Sequence, residues 1–219
     1  MSFFFGKFKA VIFDLDGVII DSEPIHLEVL NEICIQWGDP YTADDYVKYL
    51  GKTYKEIWSM VIKRYNVDFD VEEMVRFYNR RLTEYFKNAD SLPIVKGIPE
   101  LLSVLKQEGI LCAIGSASSR VNIDLTLEHI KNRDCFCVVV SGDDAVNGKP
   151  APDIYLTAAE KMGVKPKDCA VIEDTTPGIL AALRAGMYCI AYANVTSGKQ
   201  DYSGANRIIH SMYDIITDK

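Results

Sequence analysis

The 219-residue sequence lacks the features that mark several large classes of protein. It has no run of lysine or arginine longer than two and a formal net charge of -7, so we expect neither nucleic acid nor an anionic membrane as a partner. No stretch is long and apolar enough to span a bilayer. Lys7 and Lys9 follow Phe3-Phe4-Phe5 and interrupt it before the apolar region of a secretory leader can form. We therefore expect a cytoplasmic protein.

The six cysteines show no pattern that binds zinc or forms a redox pair. None belongs to a CxxC motif, and several lie within apolar, strand-like segments. Such cysteines are typical of buried free thiols in a reducing compartment. The remaining composition is that of an ordinary globular protein, with 48% hydrophobic and 25% charged residues, so we do not expect disorder.

The stretch from Val11 to Val18 organises the rest of the chain. It is a buried strand that leads directly into two carboxylates, Asp14 and Asp16, and then a glycine. An apolar run with an abrupt acidic end is typical of a central parallel strand, and ligands bind at the carboxyl edge of such sheets. A plain Asp-Gly turn explains the same residues, so this stretch alone leaves both interpretations open.

Downstream, the spacing of apolar residues divides the chain into two parts. Residues 22–93 repeat apolar positions at helical spacing, which predicts a helical-bundle cap inserted between hinges near Ser22 and Leu92. From Gly97 onward helix and strand patterns alternate, and this predicts an α/β fold with a doubly wound, parallel, Rossmann-like sheet. The α/β core domain then comprises residues 1–21 and 94–219. Its later strands are predicted at 110–114, 136–140, 169–172, 188–191 and 207–209.

Four polar clusters each follow a predicted strand. In a parallel sheet these strand ends meet at one edge, so their side chains can form one site. Three or four carboxylate-type oxygens suit Mg²⁺, and a serine before a helix with a lysine nearby suits a phosphate. The pattern therefore predicts phosphoryl transfer, with Mg²⁺ at Asp14, the Asp16 carbonyl, Glu173 and Asp174. The clusters are Asp14 and Asp16, Ser116-Ala117-Ser118, Lys149-Pro150, and Glu173-Asp174.

Each later cluster also has an ordinary structural interpretation. Glu173-Asp174 can be an acidic helix start that Thr175 or Thr176 caps. Ser116 can be a plain helix cap, and a lone loop lysine such as Lys149 is usually solvated.

Taken in order, the four motifs resemble those of the haloacid dehalogenase-like hydrolases over essentially the whole chain. The resemblance implies that Asp14 is a nucleophile that forms an aspartyl-phosphate, and that Asp16 is the general acid and base. It implies that Ser116 and Lys149, together with Ala117, bind the transferring phosphoryl group. The helical insertion after the first motif resembles the α-helical cap of this family.

Within the family the chain resembles the beta-phosphoglucomutase-like subgroup, which includes sugar-phosphate phosphatases. Asp21 and His26 match the pattern of this subgroup, although His26 also fits a packed histidine on the apolar face of a helix. Lys52 and Ser118 are further candidates for contact with substrate.

Two departures separate this sequence from the mutases. An arginine is expected shortly after the glycine equivalent to Gly51, where Lys52-Thr53-Tyr54-Lys55 stands, and a lysine is expected at Ser119. Both cations would serve a second phosphate that only a mutase must hold. We therefore expect a phosphatase of a small phosphorylated metabolite, with a sugar phosphate as the expected substrate. The alternative is a mutase in which Lys52 or Arg120 replaces the missing cations.

A phosphorylatable receiver domain and an inactive binding protein on the same fold are alternatives of other classes. A receiver has no large helical insertion, and an inactive protein would have lost Asp14, Asp16 or Lys149. No pattern selects one phosphorylated substrate or an oligomeric state.

Overall fold

The computed structural model describes residues 4–50 and 52–216, so Phe3 and Gly51 lie outside the described part. The chain forms two compact units. One comprises Ser22–Asp90, and the other comprises Met1–Asp21 with Ser91–Lys219. Among the described residues, no helix has both the length and the apolar character needed to cross a membrane.

The unit Ser22–Asp90 is built from helices in its described part. The helices Tyr54–Tyr65 and Val71–Asn88 begin at side-chain caps, because the N–H groups of Glu56 and Glu73 donate to the side chains of Thr53 and Asp70. Glu56 also accepts the Thr53 N–H at 2.8 Å, which completes a capping box. The helices are α1 (Glu23–Cys34), α2 (Ala43–Tyr46), α3 (Tyr54–Tyr65) and α4 (Val71–Asn88).

The other unit contains a parallel sheet in the order β3-β2-β1-β4-β5-β6. All four residues of β1 are fully buried, as expected of a central strand that is covered on both faces. The strand order reverses between β1 and β4, and ligands bind at such a reversal in doubly wound sheets. The strands are β1 (Ala10–Phe13), β2 (Leu111–Gly115), β3 (Phe136–Val140), β4 (Cys169–Glu173), β5 (Tyr188–Tyr192) and β6 (Arg207–Ile209).

Helices join the strands of this sheet. Ile154 and Tyr155 of α7 and Ile179 of α8 pack with Ala10 and Ile12 of β1 in one apolar cluster. Helix α5 packs against β2 and α9. The helices of this unit are α5 (Ile98–Gln107), α6 (Arg120–Glu128), α7 (Asp153–Met162), α8 (Thr176–Arg184) and α9 (Tyr213–Ile216).

The predicted α/β fold and its later strands are confirmed, with bounds within one residue. The first strand ends at Phe13, directly before Asp14, as predicted. Leu15 and Val18–Ile20 come after the strand and are buried in a tight loop, where the Leu15 carbonyl accepts the N–H groups of Ile19 and Ile20. The apolar residues after the two acids therefore fill a turn and do not extend the strand.

The cysteines are free thiols, as predicted. Cys34, Cys112, Cys169 and Cys189 are buried, whereas Cys137 is exposed on the edge strand β3.

Candidate active site

Three carboxylates lie where the strand order reverses. Asp14 follows β1, Glu173 is the last residue of β4, and Asp174 comes next. The Asp14 N–H donates to the carbonyl oxygen of Ile172 at 3.0 Å, which carries the pairing of the two strands up to the site. The three acids are almost inaccessible, with exposed fractions of 6%, 0% and 2% in that order. The carboxyl edge of the sheet thus holds three acidic side chains that are almost inaccessible to solvent.

Lys149 supplies the positive charge among these acids. Its Nζ donates to Asp14 Oδ1 at 2.6 Å and to Glu173 Oε1 at 2.7 Å. The same nitrogen lies over the ring of Tyr155, 4.9 Å from the centroid. Burial alone would lower the pKa of Lys149, but Asp14 and Glu173 raise it above its ordinary value. The lysine is therefore a charged group of the site and not a solvated surface residue.

Both oxygens of Glu173 are engaged by donors. Oε1 accepts from Lys149 and, at 3.0 Å, from the hydroxyl of Tyr155. Oε2 accepts from the N–H groups of Asp174 and Thr175 at 2.7 Å and from the Thr175 hydroxyl at 3.0 Å. Burial raises the pKa of Glu173, but Lys149 and Thr175 lower it below its ordinary value. Glu173 is thus ionised and orients Lys149, and its role as a metal ligand stays a prediction.

Asp14 and Asp174 resist ionisation more strongly. Burial raises the pKa of Asp14 from 3.8 to about 7, with Lys149 opposing the shift and Glu173 adding to it. Burial also raises the pKa of Asp174 well above its ordinary value, and the charges of Glu173 and Asp14 add to this. Asp174 Oδ2 accepts from the Ser197 hydroxyl, while Oδ1 finds no hydrogen-bond partner among the described residues. Desolvated acids of this kind are stable as anions only beside a further cation.

Asp14, Glu173 and Asp174 fit a divalent metal ion. One oxygen of each residue lies within 4.8 Å of the others. Mg²⁺ prefers oxygen ligands and binds through a few carboxylates plus a substrate phosphate. The unpartnered Oδ1 of Asp174 and the raised pKa values of Asp14 and Asp174 are what a metal's charge would compensate. The residues present therefore suit the predicted Mg²⁺ site.

Two glycines leave room for the acids. A Cβ atom on Gly17 would lie 1.9 Å from Asp174 Oδ2, and one on Gly178 would lie 1.6 Å from Glu173 Oε1. Gly17 also has a φ of +78°, a backbone conformation that other residues rarely adopt. Gly17 thus serves both the turn predicted after Asp16 and the close approach of the Asp174 carboxylate, which follows β4.

The loop after β2 brings the predicted phosphate-binding residues to the same edge. Ser116 is 1% exposed, and its Oγ accepts the Ser118 N–H at 3.0 Å, so its own proton remains available to a ligand. Ala117 is exposed beside it, and the Ser118 hydroxyl donates to Asp16 Oδ2 at 2.5 Å. The helix cap is Ser119, which accepts the Asn122 N–H at the start of α6. The interpretation of Ser116 as a plain helix cap is therefore wrong.

Comparison with known proteins identifies the family. The sequence model described as Haloacid dehalogenase-like hydrolase matches residues 11–192. This chain belongs to the haloacid dehalogenase-like hydrolases. The membership predicted from the four motifs is confirmed.

Several relatives of the hydrolase cover most of its length. It is 33% identical over 212 residues to the beta-phosphoglucomutase of Bacillus subtilis, a match that covers 94% of this chain and 91% of that protein. It is 31% identical over 212 residues to the bifunctional riboflavin kinase/FMN phosphatase of Arabidopsis thaliana, covering 96% of this chain but 55% of the plant protein. The chain thus spans about half the length of this plant relative.

A solved structure supports the same placement. The crystal structure of CbbY from Rhodobacter sphaeroides in complex with phosphate matches with a TM-score of 0.79 and 25% sequence identity. The match covers 95% of this chain and 96% of that chain.

The remaining candidates of the hydrolase have other surroundings. Asp21 Oδ1 accepts the Thr196 hydroxyl at 2.5 Å within the sheet unit. His26 is 8% exposed in the helical unit, where its Nδ1 lies 2.7 Å from the Tyr78 hydroxyl, as expected of a packed histidine. Lys52 is exposed in the same unit. Roles of Asp21, His26 and Lys52 in substrate binding stay predictions.

The loop after β5 contacts the site, although none of the four motifs includes it. Asn194 Nδ2 donates to the Gly17 carbonyl at 3.0 Å, and the hydroxyls of Thr196 and Ser197 donate to Asp21 and Asp174. This loop therefore ties the turn after Asp16 to a predicted metal ligand. The signal was present in the sequence, because a polar run follows β5 at the same edge as the other four clusters.

Proposed function

We propose that the protein is a Mg²⁺-dependent phosphatase that hydrolyses a small phosphorylated metabolite, with sugar phosphates as the expected class. The observation that carries the proposal is the position of Lys149. Its Nζ lies 2.6 Å from Asp14 Oδ1, within a buried group of three carboxylates. A nucleophilic carboxylate can attack phosphorus only where positive charge offsets the phosphate's charge. The relatives named as phosphatases support this class of reaction. A cytoplasmic location stays a prediction.

In the first step, an oxygen of Asp14 attacks phosphorus and the bond between phosphorus and the ester oxygen breaks. Asp16 gives its proton to the departing oxygen, so the alcohol leaves neutral. Lys149 and the proton of Ser116 Oγ hold phosphoryl oxygens, together with the backbone at Ala117. Mg²⁺, when held by Asp14, Asp174, the Asp16 carbonyl and Glu173, supplies positive charge to the phosphoryl group. The product on the protein is an aspartyl-phosphate at Asp14.

In the second step, a water molecule attacks the phosphorus of the aspartyl-phosphate. The Asp16 carboxylate accepts a proton from this water, and the bond between Asp14 and phosphorus breaks. Inorganic phosphate leaves, Asp14 is again a carboxylate, and Asp16 again holds the proton that the next ester requires. Each atom and proton is thus accounted for without a further reactant.

The contacts of α6 favour a phosphatase over the mutase alternative. Ser119 stands where a mutase lysine is expected, and its hydroxyl caps α6. Arg120 is exposed, and its Nε donates to both carboxylate oxygens of Asp124 at 3.0 Å. Ser119 therefore carries no charge for a second phosphate, and the charge of Arg120 is paired with Asp124. Family membership and the complete motif set argue against a receiver domain and against an inactive binding protein.

Asp14→Asn is the test. The wild-type protein is assayed with a panel of sugar phosphates, FMN and aryl phosphates. We expect it to release inorganic phosphate only when Mg²⁺ is present and to stop when Mg²⁺ is chelated. Asp14→Asn should fold normally and lose at least about a thousandfold in kcat, because the amide is not a nucleophile. An acid-stable, hydroxylamine-sensitive phosphoryl group should be trapped on the wild-type protein only. A folded Asp14→Asn protein with full turnover would rule the mechanism out.

A second assay separates phosphatase from mutase. With beta-glucose 1-phosphate, Mg²⁺ and a catalytic amount of bisphosphate primer, a phosphatase releases inorganic phosphate in excess of glucose 6-phosphate. Rapid formation of glucose 6-phosphate without phosphate release would instead show that another cation, such as Lys52, holds the second phosphate.

A further inference from the structure

One hydrogen bond joins the proposed acid and base to the phosphate-binding loop. The Ser118 hydroxyl donates to Asp16 Oδ2 at 2.5 Å, across 102 residues of sequence. Among the described residues, no other group donates a hydrogen bond to the Asp16 carboxylate. Both side chains are half-buried, so bulk water does not fully replace the contact. Hydrogen bonds to a carboxylate are about twice as strong as those between neutral groups.

Ser118 is itself held on both sides. Its N–H donates to Ser116 Oγ at 3.0 Å, and its carbonyl accepts the Gly142 N–H at 3.0 Å. Gly142 packs closely against this loop, since a Cβ there would lie 2.3 Å from the Ala117 carbonyl oxygen. The hydroxyl of Ser118 therefore comes from a fixed backbone, and it can fix the side chain that it contacts.

A proton carrier needs this restraint. Asp16 must give a proton to the leaving oxygen and later take one from water, and both transfers require a defined distance. A donor on Oδ2 limits rotation of the carboxyl group and leaves Oδ1 as the oxygen that exchanges the proton.

We propose that Ser118 is a positioning residue that holds Asp16 for proton transfer and does not bind the substrate itself. This inference rests on the phosphatase proposed above. It replaces the direct substrate contact predicted for Ser118 from the sequence. The two roles differ in what they change: a substrate contact alters KM, whereas a positioning contact alters kcat wherever the leaving group needs a proton.

The test compares two kinds of ester. Ser118→Ala should lower kcat about ten- to a hundredfold for a sugar phosphate, whose alkoxide is a poor leaving group, with little change in KM. For p-nitrophenyl phosphate, whose leaving group needs little protonation, the rate of p-nitrophenol release in the first turnover should fall less than about threefold, because that step does not need the Asp16 proton. Ser118→Thr keeps a hydroxyl and should restore most of the sugar-phosphate activity. Ser118→Cys offers a weaker donor of similar size and should fall between the two.

Ser119→Ala is the matched control, because this neighbour caps α6 and does not contact Asp16. It should affect both esters alike and only slightly. An equal fall in the first-turnover rate with both esters in Ser118→Ala, or a rise in KM alone, would overturn the positioning role while the phosphatase stands. Hydrolysis of neither ester by the wild-type protein would overturn both proposals. If Ser118→Ala does not fold, Ser118→Cys takes its place. The inference would be refuted if the first-turnover rate of Ser118→Cys depends on the leaving group in the same way as that of the wild-type protein.

Discussion

The two ends of the parallel sheet bury opposite kinds of side chain. At the carboxyl end, Asp14, Glu173 and Asp174 surround one lysine. At the amino end lies an aromatic cluster. Its members are residues that precede β1 and the first residue of β5, and the ring centroids of Phe8 and Tyr188 are 5.1 Å apart. The aromatic cluster consists of Phe4, Phe5, Phe8 and Tyr188.

Cations are placed differently at the two ends. Lys7 is exposed and lies over three rings of the aromatic cluster, with Nζ 4.3 Å from the Tyr188 centroid. Lys149 is instead enclosed, and the acids beside it include an unpartnered oxygen of Asp174. Buried rings stabilise a fold, whereas buried charges with incomplete partners destabilise it. Substitutions at the carboxyl end should therefore change turnover most, and those at the amino end should change stability most.

Among substitutions that leave the acids unchanged, the largest expected effect comes from adding one methyl group at the carboxyl end. Gly17→Ala places a Cβ 1.9 Å from Asp174 Oδ2 on a backbone with φ of +78°. The Asp174 carboxylate or the turn after Asp16 must move, so we expect kcat to fall at least about a hundredfold in a phosphate-release assay.

Gly109→Ala is the control at the amino end. Gly109 has a similar φ of +69°, but no heavy atom lies within 4 Å of the added Cβ. This variant should lose about 1–2 kcal/mol of stability through backbone strain and keep its turnover. Equal turnover in Gly17→Ala and Gly109→Ala would contradict the close fit of Asp174 against Gly17.

The second prediction uses the raised pKa of Asp14, which burial shifts from 3.8 to about 7. Between these pH values the folded, metal-free protein keeps a proton that the unfolded chain has released. Its stability should therefore fall as the pH rises through this window. Mg²⁺ binds ionised carboxylates, so it should offset this loss most fully at higher pH.

Thermal unfolding measures this effect. We expect Mg²⁺ to raise the unfolding midpoint more at about pH 8 than at about pH 5.5, by roughly 3 °C or more. Asp14→Asn should reduce the difference, and Asp174, whose pKa is also raised, should account for the remainder. Asp168→Asn is the control at the amino end, where Asp168 forms a surface ion pair with Lys9 at 3.5 Å, and it should leave the Mg²⁺ effect intact. An identical Mg²⁺ shift at both pH values would show that Asp14 does not titrate with the metal.

The contrast between the ends also marks what the sequence could predict. The strand-end rule predicts one shared edge for Asp14, Ser116, Lys149 and Asp174, because parallel strands bring distant loops together. The structure brings Asp14, Lys149 and Asp174 into one group, and the roles of all four stay predictions. It could not show that Tyr155 and Thr175 engage Glu173, since such contacts depend on side-chain reach between elements.

The aromatic cluster was missed for a related reason. The sequence around Phe4 and Phe5 indicates only an interrupted leader, because Tyr188, which contacts Phe4, lies far away in sequence and meets it only in the folded sheet. Periodicity within one segment carries no information about such a partner.

The smallest expected effect is that of Lys7→Met, which keeps an apolar stem and removes the charge over the aromatic cluster. Lys7 Nζ lies 4.3 to 5.0 Å from three ring centroids, within the range of cation–π attraction. We expect a loss of about 0.5–1 kcal/mol in urea unfolding, with kcat unchanged. Lys9→Met is the control, because the Lys9 side chain forms an exposed ion pair with Asp168. Its loss should change stability by less than about 0.5 kcal/mol. If Lys7→Met lowers the free energy of unfolding no more than Lys9→Met does, the rings stabilise the amino end by burial alone. Lys7 would then contribute nothing through its charge.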